Sequence, residues 1–265
     1  MKYLVLGLLT IFCLGFSNKS YKKFVPPGTV KINDTLYCDE TEVSNLSWHE
    51  YVYWTKVKYG IGSKEHLATL PDSTVWQQQV ETKQYPYGMY YFRMNRDHPI
   101  VGITYEQVQA FCKWRTERVR EFMWISKKYP LIDFEYRLPS KAEWELLSNN
   151  GAGVMNQANT FTHSYDKKKD SHTYRLNFHA NCVFNDSVPF IKGPEPVTSY
   201  EPNYFGLRNM IGNVREMVLE KSISKGGGWR DKLEACRVGR DQIYNAPSND
   251  LGFRCVCVIK SISKT

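Results

Sequence analysis

Cys236 is the side chain in this sequence that is best suited to act as a nucleophile. Arg237 and Arg240 follow it closely, and neighbouring cationic side chains favour the thiolate, which is the reactive form of cysteine. A structural role competes with this interpretation, because a half-cystine or a buried thiol needs no reactivity. The sequence taken alone favours the structural role.

Binding of a hard cation is the second chemistry that the sequence supports. The stretch 209–216 alternates side-chain amide and carboxylate oxygens with backbone carbonyls that Gly212 leaves accessible. Calcium prefers this supply of oxygen ligands in a flexible loop. The stretch around Asn177, Phe178 and Asp186 offers the same chemistry. Loops rich in Asn and Asp also form turns without any metal, so both interpretations stay open at this point.

Most standard enzyme signatures are absent from the sequence. It contains no Gly-x-Ser-x-Gly elbow and no His-Glu-x-x-His, and the glycine run 226–228 lacks the Lys-Ser/Thr of a phosphate-binding loop. A tight crossing of two backbone segments is the better explanation for three consecutive glycines. The six histidines show no spacing typical of a metal triad.

The elements that would position these residues are helices early in the chain and loops later. Capping boxes at 104–107 and 140–143 predict the starts of two helices, and a further helix is predicted over about 47–58. After residue 150, Asn, Gly, Asp and Pro interrupt the chain every few residues, so only short strands such as 253–259 are expected. We therefore predict a single α+β domain with a loop-rich second half.

Composition and charge are those of an ordinary globular protein. The chain has 265 residues, of which 42% are hydrophobic and 23% are charged, and this apolar fraction is enough to bury a core. The net charge is +8, but the basic residues are scattered apart from the run 167–169, and no basic and aromatic stripe is present. Nucleic acid is therefore not an expected partner.

The first residues have the pattern of a targeting segment. Lys2 precedes an uncharged apolar run over 4–16, which is too short to span a bilayer and fits a cleaved secretory signal peptide. We predict a signal peptide over 1–17 and a domain over 18–265. Lipidation of Cys13 is the alternative, although the bulky residue before it does not fit that processing. No later segment is apolar enough to span a membrane, and the mature protein is expected outside the cytoplasm.

Removal of the signal peptide would leave six cysteines, and an even number in an oxidising compartment makes disulfides plausible. A zinc site is not expected. The sequence has no Cys-x-x-Cys pair, and the spacing of Cys255 and Cys257 is too short for a zinc knuckle.

A series of motifs in fixed order resembles the formylglycine-generating enzyme (sulfatase-modifying factor) family. The resemblance covers nearly the whole mature chain and rests on the segments 99–104, 110–114, 137–145, 202–207, 212–216, 225–229 and 251–255. It implies a single-domain fold related to C-type lectins, of mixed α and β structure, with little regular secondary structure and short antiparallel strands. This agrees with the expectation drawn from the helix caps and the loop-rich second half.

The resemblance argues against the family's oxidase activity in this chain. Active members bind copper through two cysteines and convert a sulfatase cysteine into formylglycine. Cys236 falls at the second cysteine position and Asp231 at the first, while Gly228 and Arg215 replace a usual serine and tryptophan. One thiolate and one carboxylate cannot form a Cu(I) centre of the same geometry, so neither copper nor oxidase activity is expected.

The resemblance also implies metal ligands and a disulfide. Calcium is implied as a structural cofactor, held by Asn209, Gly212, Val214 and Glu216, with a second set at Asn177, Phe178, Asp186 and Val188. The family often has a bridge at the positions of Cys112 and Cys255, which predicts a disulfide between them. A second prediction pairs Cys38 with Cys257, which would join the first and last strands.

A closer resemblance links the middle of the chain to the gliding-motility and type IX secretion lipoproteins. It rests on the segments 70–76, 90–92 and 111–118. Those proteins share the fold, lack the cysteine pair and act as structural parts of periplasmic assemblies. The expected function is therefore that of a non-catalytic, calcium-stabilised envelope protein that binds a protein partner in the periplasm or at the outer-membrane periphery. The alternatives are a modifying oxidase that uses Cys236 and a secreted lectin-like module whose variable loops span 230–250.

Overall fold

A computed structural model describes residues 23–79, 87–149, 161–166, 171–176, 182, 193–200 and 202–262. The predicted signal peptide over 1–17, with Cys13, lies outside these residues. The helices are α1 (Asn45–Tyr59), α2 (Lys64–Leu67), α3 (Tyr87–Met94), α4 (Tyr105–Ser126) and α5 (Lys141–Asn149), and 3-10 helices cover Ser73–Gln79 and Leu233–Cys236. None of the helices in the described part of the chain is both long and apolar enough for a membrane span.

The described residues also contain ten short strands: β1 (Thr29–Lys31), β2 (Leu36–Asp39), β3 (Ile132–Arg137), β4 (Phe161–Asp166), β5 (Ser171–Leu176), β6 (Arg215–Met217), β7 (Ile223–Lys225), β8 (Gln242–Ile243), β9 (Leu251–Gly252) and β10 (Val256–Ile262). They form an antiparallel sheet in the order β1-β2-β10-β3, a β4-β5 hairpin and a four-stranded sheet in the order β8-β7-β6-β9. The expected antiparallel pairing holds except between β6 and β9, which are parallel. The final strand begins three residues later than the predicted 253.

Both predicted capping boxes are present. The Thr104 hydroxyl accepts a hydrogen bond from the Gln107 amide at 3.2 Å, and the Gln107 side chain accepts one from the Thr104 amide at 2.8 Å. Ser140 and Glu143 make the same exchange at the start of α5. Each exchange satisfies first-turn amides that the helix itself leaves without partners. Helix α1 begins at Asn45, two residues before the predicted start, because the Ser44 side chain caps it.

The core occupies both faces of the first sheet. On one face, α1 and α4 bring Trp48 and Phe111 together in a parallel stack with ring centroids 5.2 Å apart, and Phe253 meets both rings edge-on. On the other face, Trp144 and Leu147 of α5 pack in a second buried cluster. The two faces together build one α+β domain, as the sequence predicted.

Candidate functional site

Cys236 ends the second 3-10 helix and is fully buried. It packs against Cys182 and Ile211. The contact with the Cys182 thiol, reinforced by burial, raises the pKa of Cys236 far above its usual range. Arg237 and Arg240 are exposed and do not counter this effect. The interpretation of Cys236 as an arginine-activated nucleophile is therefore not supported, and its role is one of packing.

Gly227 contacts Cys236 in the fold, and its position there requires a glycine. Its φ is +68°, and a Cβ built there would lie 2.3 Å from the Cys236 sulfur and 3.0 Å from the Cys236 Cα. Any side chain would collide with that cysteine. The expected tight crossing of backbone segments at the glycine run is thus found between Gly227 and the 3-10 helix.

Asp231 stands where the active oxidases have their first copper cysteine. Its carboxylate accepts hydrogen bonds from the Gly228 amide at 2.8 Å and from the Gln242 side chain at 2.9 Å. It therefore ties the turn after the glycine run to strand β8. A hard carboxylate held in this way, next to a protonated and buried Cys236, does not fit a Cu(I) site.

Asn209 presents an oxygen that suits a cation. Its side-chain amide nitrogen donates to the Glu42 carboxylate and to the Val197 carbonyl, each at 2.9 Å. Its Oδ1 atom is buried and makes no hydrogen bond in the structure. Gly212, in the same loop, has a φ of +77°. A buried carbonyl oxygen without a donor is the property that a calcium ligand needs, so Asn209 fits the predicted role.

Glu216 does not fit the role predicted for it. Its carboxylate accepts three hydrogen bonds from the Arg254 guanidinium, at 2.6 to 2.9 Å, and one from the Trp144 indole at 2.8 Å. Burial alone would lower the pKa of Arg254, and the opposing attraction of Glu216 outweighs it and raises that pKa. The carboxylate is therefore committed to an ion pair, which argues against a role of Glu216 as a cation ligand.

Glu42 is the residue of this site that sequence reasoning missed. It is 1% exposed, and its carboxylate accepts hydrogen bonds from Asn209 and Asn213 at 2.9 Å. Burial raises the pKa of Glu42 to about 7, against the attraction of Arg254. No local pattern distinguishes this residue from the exposed Glu40 two positions earlier. Only the fold reveals its burial.

The other implied calcium ligands are Asn177, Phe178, Asp186 and Val188, and they lie outside the described residues. Gly212 and Val214 were predicted to contribute to the first site, and both are buried in the loop that follows Asn209. Within the described ranges, no group of three or more His, Cys, Asp and Glu side chains is arranged to hold a metal ion.

The six cysteines among the described residues form two close pairs, Cys112 with Cys255 and Cys182 with Cys236, and two separated residues, Cys38 and Cys257. The Cys112 and Cys255 sulfur atoms lie 3.6 Å apart, longer than the ~2.05 Å of a disulfide bond. They are not bonded in this structure, but they are neighbours, and their disulfide stays a prediction.

The predicted Cys38–Cys257 bridge is corrected by the strand register. Cys38 lies opposite Val256 and Cys257 lies opposite Tyr37. Because successive residues of a strand point to opposite faces, the two cysteines belong to different faces of the sheet. Each is buried in a different core cluster.

A groove of about 780 Å³ lies between α1 and α4, on the outside of the domain. Its lining is aromatic and charged, and includes Tyr51, Trp54, Tyr59, Lys113, Trp114 and Arg118. The Arg118 guanidinium lies 4.2 Å above the Trp54 ring and connects the two helices across the groove. Aromatic and arginine side chains of this kind are enriched at protein interfaces.

Two mammalian proteins, one an enzyme and one inactive, are similar to this chain in sequence. The chain is 24% identical to the formylglycine-generating enzyme of Mus musculus over 84% of its own length and 66% of that enzyme. It is 22% identical to the inactive C-alpha-formylglycine-generating enzyme 2 of Bos taurus, over 62% of the chain and 51% of that protein. It thus spans about two thirds and about half of these relatives.

Solved structures agree at the level of the fold. PvdO from Pseudomonas aeruginosa superimposes with a TM-score of 0.52 at 20% identity, over 84% of this chain and 80% of PvdO. The family described as the sulfatase-modifying factor enzyme 1-like domain matches residues 11–259. A match of this extent includes every element described above except the last residues of β10, and the chain therefore belongs to the sulfatase-modifying factor enzyme 1-like family.

Proposed function

We propose that this chain is a non-catalytic member of its family, which works by binding a protein partner in the cell envelope. The observation that carries the proposal is the pair of residues at the copper positions. Asp231 is engaged by Gly228 and Gln242, and Cys236 is fully buried against Cys182. A site that lacks one metal ligand and buries the other cannot activate oxygen through copper.

The inactive mammalian relative supports this proposal, because loss of activity on the same fold has a precedent among the proteins similar to this chain. A fold of this kind hosts different functions, and the function must therefore be argued from the residues of the site. At the copper positions of this chain, Cys236 packs in the core and Asp231 ties the turn after the glycine run to β8.

The test is a conversion assay on the purified full-length protein. The protein is loaded with copper under oxygen, given a sulfatase-type cysteine peptide, and analysed by mass spectrometry for loss of the thiol and gain of an aldehyde. We expect no conversion. An active formylglycine-generating enzyme run in parallel shows that the peptide and the copper are competent. Conversion by the unmodified chain, lost on substitution Cys236→Ser, would overturn the non-catalytic function.

The groove between α1 and α4 is the surface that we assign to the partner. It offers Trp54, Tyr59 and Trp114 together with charges of both signs, which suits a protein segment that carries both apolar and charged side chains. The resemblance to the gliding-motility and type IX secretion lipoproteins suggests that the partner is a component of an envelope assembly.

Site-specific photocrosslinking in cells tests this assignment. A photoreactive phenylalanine analogue at Tyr53, exposed beside the groove on α1, should give an adduct with a single envelope protein. The same analogue at the exposed Lys31 on β1 is the control and should give none. Equal adducts at both positions, or none at Tyr53, would contradict the assignment.

Calcium at Asn209 is the cofactor that we propose for stability. The buried Oδ1 atom of Asn209 supports this part of the proposal, and the carbonyl oxygens of Gly212 and Val214 would complete the ligands from the same loop. Bound calcium would add a second positive charge close to the buried Glu42 carboxylate, which Asn209 contacts at 2.9 Å. It would stabilise the folded state by binding that state alone.

A further inference from the structure

The last turn of α4 is largely apolar. Met123 faces the core and is buried, whereas Phe122, Trp124 and Ile125 are 56–76% exposed. Leu131, just beyond the helix, is 68% exposed. Phe122, Trp124, Ile125 and Leu131 are called the α4 tip below. Large apolar side chains that lie exposed side by side mark an interaction surface, so we expect another molecule to cover this turn.

The exposed face of α4 is polar until the tip begins. Lys113, Glu117, Arg120 and Glu121 are exposed on the preceding turns. The change occurs within one helical turn, and it coincides with the end of the helix. The apolar surface is therefore confined to the C-terminal end of α4.

The start of the described chain lies beside the α4 tip. The Phe24 ring contacts Tyr129 with centroids 6.0 Å apart, and Tyr129 contacts Phe122 with centroids 6.1 Å apart. The sequence that precedes this point includes the uncharged apolar run 4–16 and Cys13. Attachment to a membrane through a lipidated Cys13, the alternative to simple signal cleavage, would hold the α4 tip close to the same bilayer.

The charge around the tip is positive. Lys127 and Lys128 are exposed, and in the described part of the chain neither of them forms an ion pair. Two acids close to them in the sequence are already paired, since Asp133 pairs with Arg120 at 2.8 Å and Glu121 pairs with Arg118. Two exposed lysines without ion-pair partners next to exposed aromatic rings are complementary to anionic lipid headgroups.

We propose that the α4 tip is a docking surface for an anionic lipid bilayer. Trp124, Phe122 and Ile125 enter the interfacial region, and Lys127 and Lys128 contact the headgroups. Tryptophan has the amphipathic ring that favours the membrane interface, and lysines beside apolar side chains add electrostatic attraction. The inference goes beyond the proposed function and does not depend on it, because it involves neither the copper positions nor the partner groove.

Quenching of tryptophan fluorescence by brominated lipids tests the proposal on the full-length chain. The seven tryptophans all lie after residue 22, so the N-terminal apolar run contains no tryptophan that could itself be quenched. The probe is a vesicle of phosphatidylcholine with brominated acyl chains mixed with phosphatidylglycerol. We expect quenching of the wild-type protein and loss of most of that quenching in Trp124→Phe.

Matched variants separate the tip from the rest of the surface. Trp54→Phe removes a tryptophan that is also exposed, but lies in the partner groove, and it should keep the quenching. Lys127→Glu with Lys128→Glu should reduce quenching by anionic vesicles. The proposal is overturned if the wild-type protein is not quenched, or if Trp124→Phe is quenched as strongly as the wild type, which would mean that a different tryptophan meets the bilayer. Equal quenching by neutral and anionic vesicles would overturn the assignment to anionic headgroups.

Discussion

The Arg254 guanidinium and the Glu216 carboxylate form a fully buried ion pair where the two four-stranded sheets meet. Glu216 lies in β6 of the second sheet, and Arg254 lies just before β10 of the first. Arg254 also donates to the Arg208 carbonyl at 2.7 Å. One side chain thus connects both sheets and the loop that leads to Asn209, so the pair fixes the position of the candidate cation site.

Loss of this pair should strongly destabilise the protein. Glu216→Ala leaves the Arg254 charge buried without a counter-ion, and we expect a loss of about 3–5 kcal/mol in the free energy of unfolding. Urea unfolding followed by circular dichroism measures it. The control is Glu135→Ala, which breaks the exposed pair with Lys260 and should cost less than about 1 kcal/mol. Similar losses in both variants would show that Arg254 finds another partner.

Calcium should raise the melting temperature of the wild-type protein, and a chelator should reverse the effect. Asn209→Ala removes the unpartnered oxygen, so its melting temperature should not respond to calcium. Glu216→Ala should lower the melting temperature with and without calcium, because its loss acts through Arg254. Differential scanning calorimetry in calcium and in chelator gives the comparison. A calcium response that survives in Asn209→Ala but vanishes in Glu216→Ala would restore Glu216 as the ligand.

Local features of the sequence predicted local structure well. The helix starts at Thr104 and Ser140 were predicted correctly, because a capping box involves only residues three positions apart. Trp144 and Leu147 lie three residues apart on α5, so helical spacing places them on one face, and both are buried. The family resemblance extended the prediction to the whole fold.

Contacts between distant segments were the ones that sequence reasoning could not supply. Arg254 and Glu216 are separated by 38 residues, and their pairing depends on how β6 meets the first sheet. Cys38 and Cys257 were paired by their place in the first and last strands, but strand register determines which face each one occupies. Glu42 is buried because Asn209 and Asn213 pack over it, which no pattern around residue 42 indicates.

Cys112 and Cys255 should be joined by a disulfide in protein prepared under oxidising conditions. They are 143 residues apart in the sequence, and closing a loop of this length contributes ~4 kcal/mol or more in the chain-entropy model. Peptide mapping without reduction should recover the linked peptides, and Cys112→Ser should lower the stability of the oxidised protein. Cys38→Ser is the control, because its thiol faces the other side of the sheet. Recovery of Cys112 as a free thiol would contradict the prediction.

The Arg137–Glu143 pair should make stability depend on pH in the acidic range. Burial raises the pKa of Glu143, but hydrogen bonds from Arg137 and Ser140 outweigh burial and lower it below the usual 4.5. A lowered pKa means that the unfolded state binds the proton more readily, so this contribution is complete above pH 4.5 and is lost as the pH falls through the folded-state pKa.

Glu143→Gln isolates the charge, since glutamine preserves the capping box. Both side chains are about a quarter exposed, so we expect a loss of only about 1 kcal/mol near neutral pH that shrinks on acidification. Urea unfolding of the wild type and the variant measures the difference in unfolding free energy. A range of about pH 3 to pH 7 is used because it brackets the usual pKa of a carboxylate. The exposed Glu50→Gln serves as the reference. A difference that stays constant over the whole range would assign the effect to packing and not to charge.

Gly227→Ala should destabilise the protein far more than the same substitution at the exposed Gly239. The new Cβ would lie 2.3 Å from the Cys236 sulfur in a fully buried contact, and the φ of +68° is itself unfavourable for alanine. We expect a loss of about 3 kcal/mol or more in unfolding free energy, as overpacking and backbone strain add. Gly239→Ala is the matched control, because nothing lies within 4 Å of its Cβ position, and it should stay close to the wild type. Urea unfolding of both variants decides the matter: if Gly227→Ala were tolerated as well as Gly239→Ala, the segment around Cys236 would be loosely packed, and the argument that Cys236 is a buried structural thiol would fail.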